Sequence, residues 1–285
     1  MTVSTPAFAK INLFLDIRSI RENGYHNILS IMQRVSLCDM VTVSLAKGEN
    51  KEISVRCDKE SIPCGSDNLA YKAAALYPVE GKIDIFIEKH IPMSAGLAGG
   101  SADAAATLIS LNKLCSDKLS VDELCALGEK LGADVPFCIK GGACLVEGIG
   151  EIMTPITPMP QYPIIIAKKG DGMSTPAAYR ALDEKFNKFK NYSPKEELCD
   201  IIRSSETDPK SFCLGLYNIF EAVVEPARPA VSELKETMRK YGASGAMMSG
   251  SGTSVFGIFN NESDAKKALN ALIELGADAH LCYPA

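Results

Sequence analysis

From Ala7 to Ile17 the chain alternates: Ala7, Ala9, Ile11, Leu13, Leu15 and Ile17 are apolar, with Phe8, Lys10, Asn12, Phe14 and Asp16 between them. Successive side chains of a strand point to opposite faces. This period of two therefore predicts a half-buried strand with Lys10, Asn12 and Asp16 aligned on one side. Val41, Val43 and Leu45 predict a second strand, Ile53 and Val55 a third, and Ile83, Ile85 and Ile87 a fourth. A helical run, Asn68 to Leu76, lies between the last two. The fourth strand feeds a glycine-rich stretch, Pro92-Met93-Ser94-Ala95-Gly96-Leu97-Ala98-Gly99-Gly100-Ser101, and Ala102 to Leu114 then reads as a helix. A further helix opens at the capping box Ser120-x-x-Glu123 and stops at Gly132.

The segment Pro155-Ile156-Thr157-Pro158-Met159-Pro160 holds three prolines in six residues and marks the expected domain boundary, dividing the chain into residues 1–155 and 156–285. Beyond it the pattern predicts a buried strand at Ile164–Ala167 and a Ser174-capped helix with Pro176 in its first turn. Helices follow near Lys195–Arg203, Phe212–Val224 and Ala230–Tyr241. Two strands then flank a Gly-Ser-rich turn within Met247–Phe259, and a helix from Asp264 to Leu275 precedes a short terminal strand. Strands and helices mix without strict alternation, which predicts two α+β domains over a doubly wound sheet.

Composition narrows the functions. The 285 residues are 46% hydrophobic and 23% charged, the balance of a compact folded protein. The ten cysteines are scattered without a CxxC pair, which predicts reduced, mostly buried thiols in a cytoplasmic protein. No apolar run approaches the ~20 residues of a membrane span, and the N-terminus lacks a signal-peptide pattern. The net charge of −5 comes with no basic stripe, which excludes nucleic acid as the expected partner. An anionic small-molecule substrate must therefore be attracted by individual lysines and backbone N–H groups.

The glycine-rich stretch can supply such groups. A strand, glycines and then a helix opening at Ser101 is the recipe for an anion site, because N–H groups at a helix N-terminus lack internal partners and the helix dipole favours negative charge. Glycine at 96, 99 and 100 lets backbone approach a phosphate closely. On glycine content alone, a tight β-to-α turn serving only packing is an equal alternative. Neither GxxxxGK[ST] nor GxGxxG is present, so both common phosphate fingerprints are excluded.

Pro92 to Ala105 instead resembles the second motif of the GHMP kinases, Pro-x3-Gly-Leu-[Gly/Ala]-Gly-Gly-Ser-[Ser/Ala]-x-Ala-Ala. Ala7-Phe8-Ala9-Lys10-Ile11-Asn12-Leu13 with Asn23-Gly24-Tyr25-His26 resembles the first motif, and Gly245-Ala246-Met247-Met248-Ser249-Gly250-Ser251-Gly252 the third. The Gly24-Tyr25-His26 triplet, Gly132-Ala133-Asp134-Val135-Pro136-Phe137 and Ser174-Thr175-Pro176-Ala177-Ala178-Tyr179 are most similar to a branch that phosphorylates a cytidyl diphosphate sugar alcohol.

The resemblance implies a ribosomal-protein-S5-like N-terminal domain, a ferredoxin-like C-terminal domain and a site between them. It implies ATP and Mg²⁺, a small-molecule partner, and a monomer or homodimer. Lys10 and Asp134 are the catalytic pair it points to, with Asp134 as general base and Lys10 as its electrostatic partner. Residues Pro92 to Ser101 with Ala102, Asn68 and Lys89 are expected to hold ATP, and Ser101 to touch Mg²⁺. Asn12, Tyr25, His26, Thr175, Pro176 and Tyr179 are expected to bind the acceptor, with Tyr25 and Tyr179 stacking on the base and His26 hydrogen-bonding it. Ala102 stands where many relatives carry a second serine, which removes one hydroxyl from the phosphate side. Taken singly, Asp134 also reads as a loop residue bonded to its own backbone, Lys10 as a solvated lysine and His26 as a surface residue. A decarboxylase of the same fold, a silent sensor and a generic sugar or homoserine kinase are the competing functions.

Overall fold

The computed structural model describes residues 1–190, 192–204 and 209–285. The chain forms two compact units, one of Met1–Ala9, Leu37–Ile91 and Ala98–Gly141, the other of Lys10–Ser36, Pro92–Leu97 and Gly142–Ala285. Two long strands, β1 (Thr2–Ile20) and β2 (His26–Ala46), contribute to both.

The first unit is a sheet in the order β3-β4-β2-β1, built with β3 (Glu52–Cys57) and β4 (Lys82–Glu88). β3 runs parallel to β4 in the register Ile53↔Ile83 and Val55↔Ile85, and β4 is antiparallel to β2 with Val41↔Ile87 and Val43↔Ile85. The expected strands thus pair, and their alternate isoleucines and valines share one buried face. On this sheet lie α1 (Leu69–Leu76), α2 (Gly99–Leu114), α3 (Val121–Glu129) and α4 (Val135–Lys140). Ser120 caps α3 in the expected box with Glu123. Four alanines of α2 (102, 104, 105 and 106) are buried, and Ser110 bonds Thr5 of β1 at 2.8 Å.

One cluster of buried charge stands out in this unit. The Lys89 ammonium, at the end of β4, is bound between the carboxylates of Asp39 and Asp103, the latter at 2.8 Å. Asp39 also accepts the backbone N–H groups of His90 at 2.6 Å and Ile91 at 2.8 Å. Burial alone would lower the Lys89 pKa, but the two carboxylates outweigh it and raise it. Burial and the neighbouring Asp39 push Asp103 up to about 7, and one of its oxygens has no hydrogen-bond partner among the described residues.

In the second unit β1 and β2 continue with β5 (Ala143–Gly148) and β6 (Ile152–Ile156), the hairpin β5–β6 pairing with β2 through Ile31↔Leu145. Pro155 falls on β6, an edge strand among the described residues, where proline is tolerated. A second sheet holds β7 (Ile164–Lys168), β9 (Ala243–Met248), β10 (Val255–Phe259) and β11 (Asp278–Cys282) in the antiparallel order β11-β7-β10-β9. That order, 4-1-3-2 in strand sequence, is the ferredoxin-like arrangement the resemblance implied. Between β7 and β9 come α5 (Thr175–Lys185), α6 (Glu196–Ser204), α7 (Pro209–Cys213), the short β8 (Tyr217–Asn218), α8 (Glu221–Ala227) and α9 (Pro229–Lys240), and α10 (Glu262–Glu274) links β10 to β11.

Three differences from the sequence pattern have physical causes. The polar face of β1 is not solvated: Lys10, Asn12, Phe14 and Asp16 are all buried, because polar partners and rings cover them. The Asp16 carboxylate accepts the Tyr192 hydroxyl at 2.6 Å and the Lys195 N–H at 2.7 Å, and burial raises its pKa despite these bonds. The expected helix at Phe212–Val224 is broken into α7, β8 and α8. Asn218 breaks it, donating to the carbonyls of Met248 and Gly250, both at 2.8 Å, and accepting from Phe220 N–H. Third, α2 begins at Gly99, two residues before Ser101, since Ala98 takes the left-handed conformation at its N-cap. Ser174 occupies the N-cap of α5 but makes no side-chain cap bond. Among the described residues none of the ten cysteines forms a disulfide.

Replacing Lys89 by methionine leaves two carboxylates stranded in the core. Lys89→Met is expected to lower the unfolding free energy by about 3–5 kcal/mol in urea titration, whereas a surface control such as Lys82→Met changes it little.

Candidate active site

Two of the expected site residues lie on β1. Lys10 is 4% exposed and Asn12 1%. The Lys10 ammonium donates to Asn12 Oδ1 at 2.7 Å, Asn12 Nδ2 donates to Ser30 Oγ at 2.8 Å, and Ser30 Oγ donates to the Phe14 carbonyl at 2.6 Å. A long cationic side chain is thereby held in one direction by a chain of buried dipoles. Both side-chain atoms of Asn12, expected on substrate, are committed to this chain. The backbone of β1 also holds the glycine-rich loop, Lys10 N–H donating to the Leu97 carbonyl at 3.2 Å.

Within the loop, buried and open positions interleave. Pro92, Ala95, Leu97 and Ala102 are buried, while Met93, Ser94 and Gly100 are exposed. The side chains that anchor the loop thus differ from the backbone it presents. Its outer half is fixed by the third motif: Ser249 Oγ donates to the Gly96 carbonyl at 3.0 Å and Ser254 N–H to the Ala95 carbonyl at 3.2 Å. Lys168 donates to the Met93 carbonyl at 2.6 Å. Gly96 has φ +73°, and a Cβ there would sit deep inside the van der Waals surface of the Ser249 carbonyl; a Cβ on Gly250 would lie 2.8 Å from the Gly96 oxygen. Two glycine-rich turns therefore meet backbone to backbone.

The inner half opens α2. No side chain caps Ala98, and the first intrahelical bond is Ala102 N–H to the Ala98 carbonyl at 2.8 Å. The N–H groups of Gly99, Gly100 and Ser101 donate no hydrogen bond among the described residues, at the positive end of a 16-residue helix. The Ser101 hydroxyl lies 3.9 Å from where a Gly132 Cβ would stand, so the turn carrying Asp134 passes beside this N-terminus. Asp134 precedes α4 with helical φ −82° and ψ −14°, and its carboxylate makes no cap bond to its own helix. The Asp134 side chain therefore does not act as the N-cap of α4.

On the expected nucleotide side, Asn68 caps α1, accepting from Ala70 N–H and donating to the Pro63 carbonyl, both at 2.8 Å. Lys89 is spent on Asp39 and Asp103 and stands 3.3 Å from a Gly99 Cβ position, under the start of α2. Lys89 thus packs under the loop's exit into α2, while both bonds of Asn68 go to backbone flanking the start of α1. Among the described residues no group of three or more His, Cys, Asp or Glu is placed to hold a metal ion. Ser101 and the Asp134 turn offer hard oxygen donors in the small number that Mg²⁺ takes when nucleotide phosphates supply the rest, and so fit such an ion.

The acceptor-side residues separate into two groups. His26 and Tyr179 come together, ring centroids 4.6 Å apart, with Phe189 edge-on to His26 at 5.8 Å and Phe220 edge-on to Tyr179 at 4.9 Å. His26 Nε2 is 2.8 Å from Asp183 Oδ1. Tyr25 stands apart at the tip of the β1–β2 hairpin, 60% exposed and without a ring contact among the described residues. Thr175 bonds the Ser251 hydroxyl at 2.8 Å and Pro176 is exposed beside it, so α5 starts against the third-motif turn. Asp183 and Phe189 were not singled out in the sequence. Asp183 lies four residues after Tyr179, the spacing that shares a helix face, which is the signal that finds it.

Residues 68–142 match the family described as GHMP kinases N terminal domain and residues 198–278 that described as GHMP kinases C terminal. Fold, loop and matches together define a GHMP kinase. A 4-diphosphocytidyl-2-C-methyl-D-erythritol kinase of Alkaliphilus metalliredigens is 42% identical over 96% of this chain and 93% of its own. One from Caldicellulosiruptor saccharolyticus is 44% identical over 93% and 91%. A solved 4-(cytidine 5'-diphospho)-2C-methyl-D-erythritol kinase superposes with a TM-score of 0.80 at 31% identity, covering 99% of this chain and 100% of that one. The Methanococcus jannaschii mevalonate kinase shares the fold, with a TM-score of 0.76 at 16% identity. The chain belongs to the family of the 4-diphosphocytidyl-2-C-methyl-D-erythritol kinases.

The close approach of the two turns gives a test. Gly96→Ala is expected to weaken ATP binding at least about tenfold, measured by calorimetry, with helix content by circular dichroism unchanged.

Proposed function

We propose that the protein transfers the γ-phosphoryl group of ATP to the 2-hydroxyl of 4-diphosphocytidyl-2-C-methyl-D-erythritol, a step of non-mevalonate isoprenoid precursor synthesis. One observation carries this reading beyond the names of its relatives: the unpaired N–H groups at the start of α2 lie beside the turn that bears Asp134, whose carboxylate does not cap its own helix. A phosphate cradle and a proton acceptor are thus offered by adjoining backbone.

In this reading the loop from Pro92 to Ser101, with Ala102 behind it, holds the β- and γ-phosphates through backbone N–H groups, and Asn68 and Lys89 fix the edges of the nucleotide site. The acceptor oxygen attacks the γ-phosphorus, the bond to the β–γ bridging oxygen breaks, ADP leaves, and the hydroxyl proton passes to Asp134. Lys10, aimed by Asn12, stabilises charge on the transferring group; its partnership with Asp134 rests on the family resemblance. Ser101 would hold Mg²⁺ through its hydroxyl, and the bound ion would neutralise phosphate charge. The cytosine stacks on Tyr179 and on the exposed Tyr25 and bonds His26, while Thr175 and Pro176 form the wall near the start of α5. The division at residues 155 and 156 is part of the proposal, and the two family matches lie on either side of it. The small-molecule substrate would be met in the cytoplasm, and among the described residues no helix is long and apolar enough to cross a membrane.

The test is turnover with ATP and Mg²⁺ of the cytidyl compound, with homoserine, mevalonate and galactose in parallel. Phosphorylation of the cytidyl compound alone is expected, and turnover of another acceptor in its place would overturn the proposal. Asp134→Asn is expected to lower kcat by a factor of about 10²–10⁴ with little change in ATP affinity. A fully active variant removes Asp134 from the role of base.

A further inference from the structure

We infer that Asp183 sets the base specificity of the acceptor site: it holds His26 in the tautomer whose Nδ1 accepts a hydrogen bond, so that His26 reads the exocyclic amine of cytosine and rejects the carbonyl of uracil. The inference rests on the reading of His26 as a nucleobase contact given above, and adds a residue and a mechanism of discrimination to it.

An ionised carboxylate only accepts hydrogen bonds. His26 Nε2, 2.8 Å from Asp183 Oδ1, must therefore carry a proton. In the neutral ring this leaves Nδ1 with its lone pair, an acceptor. Nδ1 makes no hydrogen bond among the described residues, so its capacity remains for a ligand. The ring is also fixed in orientation. Its side chain is 9% exposed, with Tyr179 tilted across it at 4.6 Å and Phe189 edge-on at 5.8 Å. Turning it over would take Nε2 away from Asp183.

The partner is held as firmly as the ring. Asp183 lies on α5 one turn after Tyr179, so a single helix delivers both the aromatic face and the carboxylate to His26. Leu182, beside Asp183, and Ala178, beside Tyr179, are fully buried and seat that helix. Asp183 itself is a third exposed, so it acts through His26 and serves as a positioning residue.

The chemistry of the bases then decides. Cytosine offers one donor on its hydrogen-bonding edge, the amine at position 4, while uracil has a carbonyl oxygen there. A lone pair at Nδ1 meets an N–H in the first case and another lone pair in the second. In a part-buried site an unmade bond costs roughly ten- to hundredfold in affinity. The stacking rings do not contribute to this choice, since both pyrimidines present similar faces.

The experiment uses the full chain with CDP and UDP as probes, by calorimetry, and ring-¹⁵N histidine labelling with long-range proton–nitrogen correlation at about pH 8, above the ordinary imidazole range. The wild type is expected to bind CDP at least tenfold tighter than UDP and to show His26 protonated at Nε2 only. Asp183→Asn replaces a group that only accepts by an amide that also donates, so Nε2 is no longer obliged to carry the proton. Its CDP-to-UDP ratio is expected to fall at least tenfold, with ATP affinity unchanged. Equal binding of CDP and UDP by the wild type, a wild-type proton on Nδ1, or an Asn variant that weakens both probes equally would each overturn the inference. If the variant fails to fold, the two wild-type measurements decide. Selective CDP binding without phosphorylation of the cytidyl compound would leave the inference standing and remove the proposed function; turnover of that compound with equal CDP and UDP binding would do the reverse.

Discussion

The structure turns on a buried ammonium. Lys89 ends β4, Asp103 lies in the first turns of α2, and Asp39 projects from β2 while accepting the backbone of His90 and Ile91. The chain leaves this cluster at Ile91 and returns to it at Gly99, so both stems of the glycine-rich loop are tied to one cation. Apolar residues of similar volume could stabilise the same packing as well or better. Charge adds direction, since an ammonium between two carboxylates fixes where the strand ends and how α2 is rotated, and with it where the unpaired N–H groups point.

Between those stems the loop is held by close backbone contact. Gly96 and Gly250 approach so nearly that neither tolerates a Cβ, and Ser249 bonds the Gly96 carbonyl while accepting the N–H of Asn12 at 3.3 Å. The three sequence motifs therefore meet at one serine. The same strand that supplies Asn12 carries Lys10, and its buried polar network explains why a strand with an alternating pattern has no solvated face.

Much of this was legible in the sequence. The period of two placed β1, the box at Ser120 placed α3, and the family pattern located the glycine-rich loop. The rest depended on contacts distant along the chain. Alternation cannot say whether a polar face meets water or partners such as Ser30 and Tyr192, which lie 18 and 176 residues from Asn12 and Asp16. The helical pattern at Phe212–Val224 gave way because Asn218 bonds carbonyls of the third motif. Asn12 and Lys89 were expected to touch ligands, but their side chains serve protein partners. Asp183 was hidden for the same reason, since its meaning depends on a histidine 157 residues away.

A crystal structure of the protein with the cytidyl compound and a non-hydrolysable ATP analogue tests the account most directly. The phosphates should lie on the N–H groups of Gly99 to Ser101, with the 2-hydroxyl within ~3 Å of the Asp134 carboxylate and the cytosine amine on His26 Nδ1. Phosphates bound away from the start of α2, or a cytosine that does not touch His26, would contradict it.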